Sequence, residues 1–377
     1  MAGAVIQTKC AASLAEYLNG AVNYIVRYAF KAALKSPKEL LFIMRYAVMQ
    51  RRMAKIRRSF EAHGEHIPLF LIASITSQCN LRCAGCYHHA LRPDTEARDV
   101  ELSAKEWGRI FDEARELGIP FILLAGGEPL FRDDVLREAA RRKGILFPVF
   151  TNGTMIDEAR FALFDRYRAL IPVLSLEGAK LHTDERRGGG VHDAVWNVCT
   201  ALYAQRIPFG LSITVTKENA VQVTGRQFIT EARQRGCAFI VYVEYIPADG
   251  KVSTSALSES ERAAFSLCIE QARTENMGFL ILSFPGDEKE SGGCLAAGRG
   301  FFHINAAGAA EPCPFSPYSD MSLRSTPLRA ALKSPFFAAL NSGGFLRAAH
   351  NGPCHLSEVR TEVARLAENF AAVPHVS

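Results

Sequence analysis

The chain of 377 residues has no run of eighteen apolar residues, so a membrane-spanning helix is not expected. Its opening, Met1-Ala-Gly-Ala-Val-Ile-Gln-Thr-Lys9, lacks a basic stretch followed by an apolar core, which argues against a secretory signal and predicts a cytoplasmic location. No repeat array or low-complexity segment occurs. Acidic residues are scarce at the N-terminus: residues 1–66 hold eleven Lys/Arg against four Glu, a charge of +7, while the rest of the chain carries −2. The densest basic run in it, Arg51 to Arg58, lacks interleaved aromatics, so no nucleic-acid partner is expected. Cysteine, in contrast, is plentiful, with ten residues. In a cytoplasmic chain clustered cysteines more often bind metals or clusters than form disulfides.

Residues 1–66 read as two helices, near 14–34 and 37–62. Ser36 is the expected N-cap of the second, and Pro37 its first helical residue. The run Arg51-Arg52-Met-Ala-Lys55-Ile-Arg57-Arg58 has two readings. One is the solvated face of a helical cap packed on the core. The other is peripheral membrane contact with anionic lipid.

From 67 onward, apolar strands alternate with amphipathic helices. Strands are expected at 68–76, 120–125, 147–151, 171–176, 209–215 and 238–246. Helices are expected near 103–118, 132–143, 157–168, 193–206 and 222–235, with Ser103 and Glu106 forming a capping box. This alternation predicts parallel β/α units.

The first strand runs into Cys79-Asn-Leu-Arg-Cys83-Ala-Gly-Cys86-Tyr87. Three thiolates at C-x3-C-x2-C spacing are short of the four ligands that a [4Fe–4S] cube needs, so one iron stays open to chemistry. A zinc knuckle is the competing reading, with His88 or His89 as the fourth ligand. Further distinctive stretches fall at strand ends: Gly126-Gly127-Glu128-Pro129, Thr151-Asn152-Gly153, Ser175-Leu-Glu177-Gly178 and Ser212-Ile-Thr214. The loop His182-Thr-Asp184-Glu-Arg186-Arg187-Gly188 follows the fourth of these strands.

These motifs resemble the radical S-adenosylmethionine (SAM) superfamily. The resemblance implies an α/β fold: a partial (β/α)6 TIM-like barrel over 67–278, with the N-terminal helical extension 1–66 and a C-terminal iron–sulfur extension over 279–377. It implies a [4Fe–4S] cluster coordinated by Cys79, Cys83, Cys86 and SAM. Reduction of that cluster cleaves SAM to a 5′-deoxyadenosyl radical, which abstracts hydrogen from a substrate. Gly126, Gly127 and Glu128 then hold the SAM amino group, and Arg187 clamps its carboxylate. Ser175, Ser212 and Ile246 lie near its ribose and adenine. An aromatic often precedes the third cysteine in this family; here Gly85 does, and Tyr87 is the candidate to cover the adenine. Glu177 stands where relatives carry Asp. Tyr245 and Glu244 alternate on the sixth strand, and the sequence alone leaves open which faces inward.

After a helix begun by Ser258 and Glu261, and a strand at 279–284, Cys294, Gly308 and Cys313 stand at C-x13-G-x4-C spacing. Cys354 follows. This resembles the opening of a SPASM domain, or of its shorter twitch relative, and implies an auxiliary [4Fe–4S] cluster on Cys294, Cys313 and Cys354. The later C-x2-C-x5-C run of full SPASM is missing. The fourth position is then open to substrate, solvent or a residue such as His355. The remaining cysteines, Cys10, Cys199, Cys237 and Cys268, are isolated.

The expected activity is radical SAM chemistry on a peptide or small-molecule substrate, in peptide modification or in natural-product or cofactor maturation. An electron donor such as flavodoxin or ferredoxin is the expected partner. A membrane-associated enzyme acting on a lipid or isoprenoid is one alternative, and a non-catalytic iron–sulfur or zinc protein another. The tail lacks the Arg-Gly-Gly ending of the molybdenum-cofactor enzyme. The 66 N-terminal residues are too few for a cobalamin domain.

Overall fold

Short apolar strands set between amphipathic helices can bury both faces only by stacking side by side under a helical layer. A computed structural model shows this arrangement and describes residues 37–91, 100–248, 253–346 and 354–374. The expected helix near 14–34 and Ser36 lie outside the described residues.

The strands are β1 (Phe70–Ser74), β2 (Phe121–Ala125), β3 (Phe147–Thr151), β4 (Leu170–Ser175), β5 (Gly210–Val215), β6 (Phe239–Glu244), β7 (Leu280–Phe284), β8 (His303–Ile304) and β9 (Ala310–Glu311). They form one sheet in the order β7-β6-β5-β4-β3-β2-β1-β8-β9. β1 to β7 are parallel throughout. All their C-terminal ends therefore face one way, which is where chemistry collects in barrels of this kind.

The sheet differs from the six-strand expectation at both edges. β7, expected in the C-terminal extension, pairs in parallel with β6 from Phe239↔Leu280 to Val243↔Phe284. At the other edge β8 pairs with β1 through Ile72↔His303 and Ala73↔Ile304. β9 then turns back antiparallel on β8 across Ala307-Gly308. The C-terminal segment thus extends the core sheet from both sides.

Helix boundaries follow local chemistry. The helix Ala104–Glu116 begins at a Ser103/Glu106 capping box, and Glu259–Glu275 at a Ser258/Glu261 box. The helix expected near 222–235 is two, Ala220–Thr224 and Arg226–Gln234, because Gly225 takes an extended conformation between them. Trp107, Phe111, Phe147 and Phe164 are fully buried between helices and sheet, and the Phe111 and Phe147 rings meet edge to face at 5.2 Å. Truncating such a ring to Ala costs about 3–5 kcal/mol.

The helix Pro37–Ala62 packs as a cap, with Tyr46, Gln50, Met53 and Arg57 buried. Gln50 Nε2 donates to Gly144 O at 2.9 Å, and Arg57 Nη1 donates to Gly118 O. Gly118 and Gly144 precede β2 and β3, so the cap covers the end of the sheet away from the cysteine loops. A fully buried polar joint fastens the hairpin to β1. Ser74 Oγ lies 2.7 Å from His303 Nε2, His303 Nδ1 lies 2.6 Å from Glu311 Oε2, and Asn305 Nδ2 donates to Glu311 Oε1 at 2.8 Å.

Candidate active site

The loop after β1 carries Cys79, Cys83 and Cys86, all free and partly exposed. It is held on every side by groups other than its thiols. Asn80 Nδ2 donates to Thr154 Oγ1 at 2.8 Å and Asn80 Oδ1 accepts from Asn152 Nδ2 at 2.9 Å, tying the loop to the end of β3. Ala84 N donates to Arg186 O at 2.8 Å, tying it to the helix Lys180–Arg187. His88 Nε2 lies 2.9 Å from Ser77 O, and His89 Nε2 lies 3.1 Å from Leu81 O. The two histidines of the zinc alternative thus brace the loop backbone.

The thiols feel one another and their surroundings. Burial pushes the Cys79 thiol up to about 11, and the charges of Glu128, Cys83 and Cys86 add to this. Burial also raises the Cys83 thiol, with the Arg187 charge acting against it. Among the described residues no three His, Cys, Asp or Glu side chains close on one point as for a single metal ion. A [4Fe–4S] cube binds each thiolate to a different iron, so its ligands need not converge on a single ion.

Gly126 and Gly127 are required by the protein's own backbone. A Cβ on Gly126 would strike Thr76 O, and one on Gly127 would strike Gln78 O. This close approach lets Gly127 N donate to Thr76 O at 2.9 Å and Glu128 N to Gln78 O at 2.7 Å, fixing the chain just before Cys79. Glu128 is 1 % exposed. Its Oε1 accepts from Thr151 Oγ1 at 2.8 Å and Leu130 N at 3.1 Å, and its Oε2 accepts from Asn152 N at 2.8 Å. Thr151-Asn152-Gly153 is therefore more than a turn, since it braces both Glu128 and Asn80. Burial raises the Glu128 carboxyl against these hydrogen bonds.

Glu177 and Arg187 form a buried bidentate pair, with Nε–Oε2 at 2.6 Å and Nη2–Oε1 at 2.7 Å. The fork expected to grip a cofactor carboxylate is thus taken by Glu177. Arg187 Nη1 points instead at Cys83 Sγ, 3.9 Å away. Arg186 Nε lies 3.4 Å from Glu177 Oε1, and its guanidinium sits 5.6 Å from the Tyr245 ring centre.

The face of the sixth strand is settled by register. Ser175 pairs with Ser212, and both are partly exposed neighbours on one face. Ser212 pairs with Val241 and Thr214 with Val243, and continued alternation brings Tyr245 to that same side. Tyr242 and Glu244 face the helices: Tyr242 Oη donates to Val223 O at 2.6 Å, and Glu244 Oε1 accepts from Arg262 Nε at 2.5 Å. Tyr245 reaches the cysteine loop, where a Cβ on Gly85 would lie 2.6 Å from its ring. Ile246 is buried, and the alternation sets it with Glu244. Tyr87 packs its ring 5.4 Å from Phe315, two residues beyond Cys313, so it links the two cysteine regions.

The second set comes together from three segments: Cys294 and Cys313 are buried and Cys354 is partly so. Burial pushes all three thiols up, Cys354 to about 12, and the charges of Glu288, Cys354 and Cys313 act on Cys294. Glu288 escaped the sequence reading, as did Glu101. Glu101 Oε1 accepts from Ser77 N at 2.7 Å, Ser77 Oγ at 2.9 Å and Thr76 Oγ1 at 3.0 Å, and Arg132 Nη1 meets Oε2 at 3.1 Å. Neither glutamate sits in a motif, so no local signal marks them.

The site thus sets a three-cysteine loop after the first strand, glycines after the second and a paired Glu/Arg beyond the fourth at one end of a parallel α/β sheet. The model of the Radical SAM superfamily matches residues 73–223 of the chain. That family implies a [4Fe–4S] cluster and SAM. The chain is similar to the Fe-coproporphyrin III synthase of Methanosarcina barkeri, at 30 % identity over 211 residues, covering 54 % of this chain and 51 % of the relative. It is also similar to the PqqA peptide cyclase of Granulibacter bethesdensis, at 26 % over 256 residues, covering 65 % of this chain and 67 % of the relative. The match thus spans about half the length of the first relative. In fold it resembles Streptococcus suis SuiB bound to precursor peptide SuiA, with a TM-score of 0.62 and 17 % identity over 81 % of this chain and 72 % of that one. No helix among the described residues is long and apolar enough to cross a membrane.

Proposed function

We propose that the chain is a radical SAM enzyme that modifies a peptide, with Cys79, Cys83 and Cys86 as cluster ligands. A [4Fe–4S] cluster held by Cys79, Cys83 and Cys86 would supply one-electron reductive cleavage of SAM, and with it hydrogen abstraction from the substrate. The observation carrying this reading is the convergence, at one end of the sheet, of a braced three-cysteine loop with Glu128, Glu177 and Arg187. The donor set fits the group: three thiols, each available to a separate iron, and no fourth cysteine in the loop.

Each residue then has a task. The backbone bonds of Gly127 and Glu128 hold the loop in place before metal arrives. Glu128 Oε2 accepts one internal bond, which leaves acceptor capacity for the ammonium of SAM. Arg187, fixed by Glu177, offers Nη1 to the Cys83 sulfur, and hydrogen bonds to cluster sulfurs tune potential. Ser175, Ser212 and Tyr245 line the inward face that would receive ribose and adenine. Cys294, Cys313 and Cys354 would hold a second cluster, and flavodoxin or ferredoxin would supply electrons. A peptide substrate is supported by the likeness to a peptide cyclase and to a peptide-bound fold. The similarity to Fe-coproporphyrin III synthase favours a second reading, a tetrapyrrole substrate.

The test is anaerobic reconstitution followed by reduction with dithionite. The reading expects about eight irons per chain from two four-iron clusters, and formation of 5′-deoxyadenosine. Tightly bound zinc without iron or sulfide would contradict it.

A further inference from the structure

The second cysteine set contains a fourth buried donor. Glu288 lies in the turn Gly286–Ser291, directly after β7, and is 6 % exposed. Its N–H donates to Pro285 O at 2.8 Å, and its carbonyl accepts from Gly293 N at 3.2 Å. The turn so formed brings Cys294 back beneath the Glu288 side chain. There Oε1 accepts from Leu295 N at 3.2 Å, and the Cys294 side chain hydrogen-bonds the carboxylate. The same carboxylate lies within electrostatic reach of Cys313 and Cys354. His355, the non-cysteine candidate from the sequence, has its Nδ1 3.7 Å from Glu358.

A carboxylate enclosed with three thiols is a costly arrangement unless something compensates it. Arg299 is near, and its guanidinium donates to the carbonyls of Cys294 and Leu346 and so supports the loop. A carboxylate oxygen is an established iron ligand, and a glutamate carries the same formal charge as the thiolate it would replace.

We propose that Glu288 is the fourth protein ligand of the second cluster, completing the set Cys294, Cys313, Cys354 and Glu288. This rests on the reading that those cysteines hold a cluster. It has a functional consequence. With every iron held by the protein, the second cluster offers no open iron to substrate and acts as an electron relay or a staple.

The test uses the full chain with Cys79, Cys83 and Cys86 replaced by Ala, so that only the second site can bind iron. That background should hold about four irons after anaerobic reconstitution. Adding Glu288→Gln should lower this to about three, with the EPR signal of an oxidised three-iron cluster. Adding Glu288→Cys instead should restore about four, with an altered EPR spectrum of the reduced cluster. Complete loss of iron in Glu288→Gln that Glu288→Cys reverses supports ligation equally. Four irons and an unchanged spectrum in Glu288→Gln would overturn the assignment while leaving the second cluster intact. Loss in both variants would also overturn it, marking Glu288 as a shaper of the loop. A background without iron would remove the second cluster and this assignment together.

Discussion

Glu177 and Arg187 set the charge beside Cys83. A carboxylate as buried as Glu177 needs its partner, and removing one member of such a pair typically costs about 3–5 kcal/mol. Arg187→Ala should therefore lower the melting temperature and shift the midpoint potential of the first cluster, read by EPR-monitored titration. A wild-type potential would show that Arg187 does not act on the cluster sulfurs. Glu128→Gln exchanges an acceptor for a donor that faces Asn152 N–H, a mismatch costing about 1–3 kcal/mol. Iron content should stay unchanged while SAM affinity falls, measured by equilibrium binding; unchanged affinity would take Glu128 out of the SAM site. Gly85 and Tyr245 give a third residue-scale test. Gly85 has φ +65°, a backbone that costs a residue with Cβ about 1–2 kcal/mol, and the Tyr245 ring leaves no room for one. Gly85→Ala should destabilise the protein, and Gly85→Ala with Tyr245→Ala should recover the steric part in a thermal-unfolding double-mutant cycle. Strict additivity would deny the contact.

Among the elements, the strands were readable in the sequence because short apolar runs such as Phe121–Ala125 stand between capped amphipathic helices. Their bounds moved by only a residue or two, since Gly, Pro and Ser/Glu capping signals are local. The pairing of β7 with β6, and of β8 with β1, was not readable, because it joins strands through contacts that leave no mark on the adjacent sequence. The same holds for Glu101 on Ser77 and Glu288 beside Cys294. Each is a long side chain outside any motif whose partner lies beside a cysteine set. Motif reading found the thiols and missed what positions them.

The helix Pro37–Ala62 has two unlike sides. One side is packed, while Leu41, Met44 and Val48 are exposed beside exposed Arg45, Arg51, Arg52, Lys55 and Arg58. If this face meets anionic lipid, the protein should co-sediment with anionic vesicles and not with neutral ones, and salt should release it. Equal binding to both lipids would leave the helix as a cap alone.

In the whole molecule, the sheet joins two cysteine regions into one body. The Ser74–His303–Glu311 joint fastens the C-terminal hairpin to β1, the strand that leads into the first loop, and the Tyr87–Phe315 contact spans the two regions directly. A second cluster held there would stand in fixed relation to the first. The most direct measurement of the central claim is 5′-deoxyadenosine formed by the reduced, anaerobically reconstituted protein, quantified by mass spectrometry beside the Cys79→Ala/Cys83→Ala/Cys86→Ala variant. The account predicts formation by the wild type and none by the variant, which should remain soluble and keep about four of about eight irons. Equal 5′-deoxyadenosine from both proteins, or none from a wild type with its full iron, would contradict it.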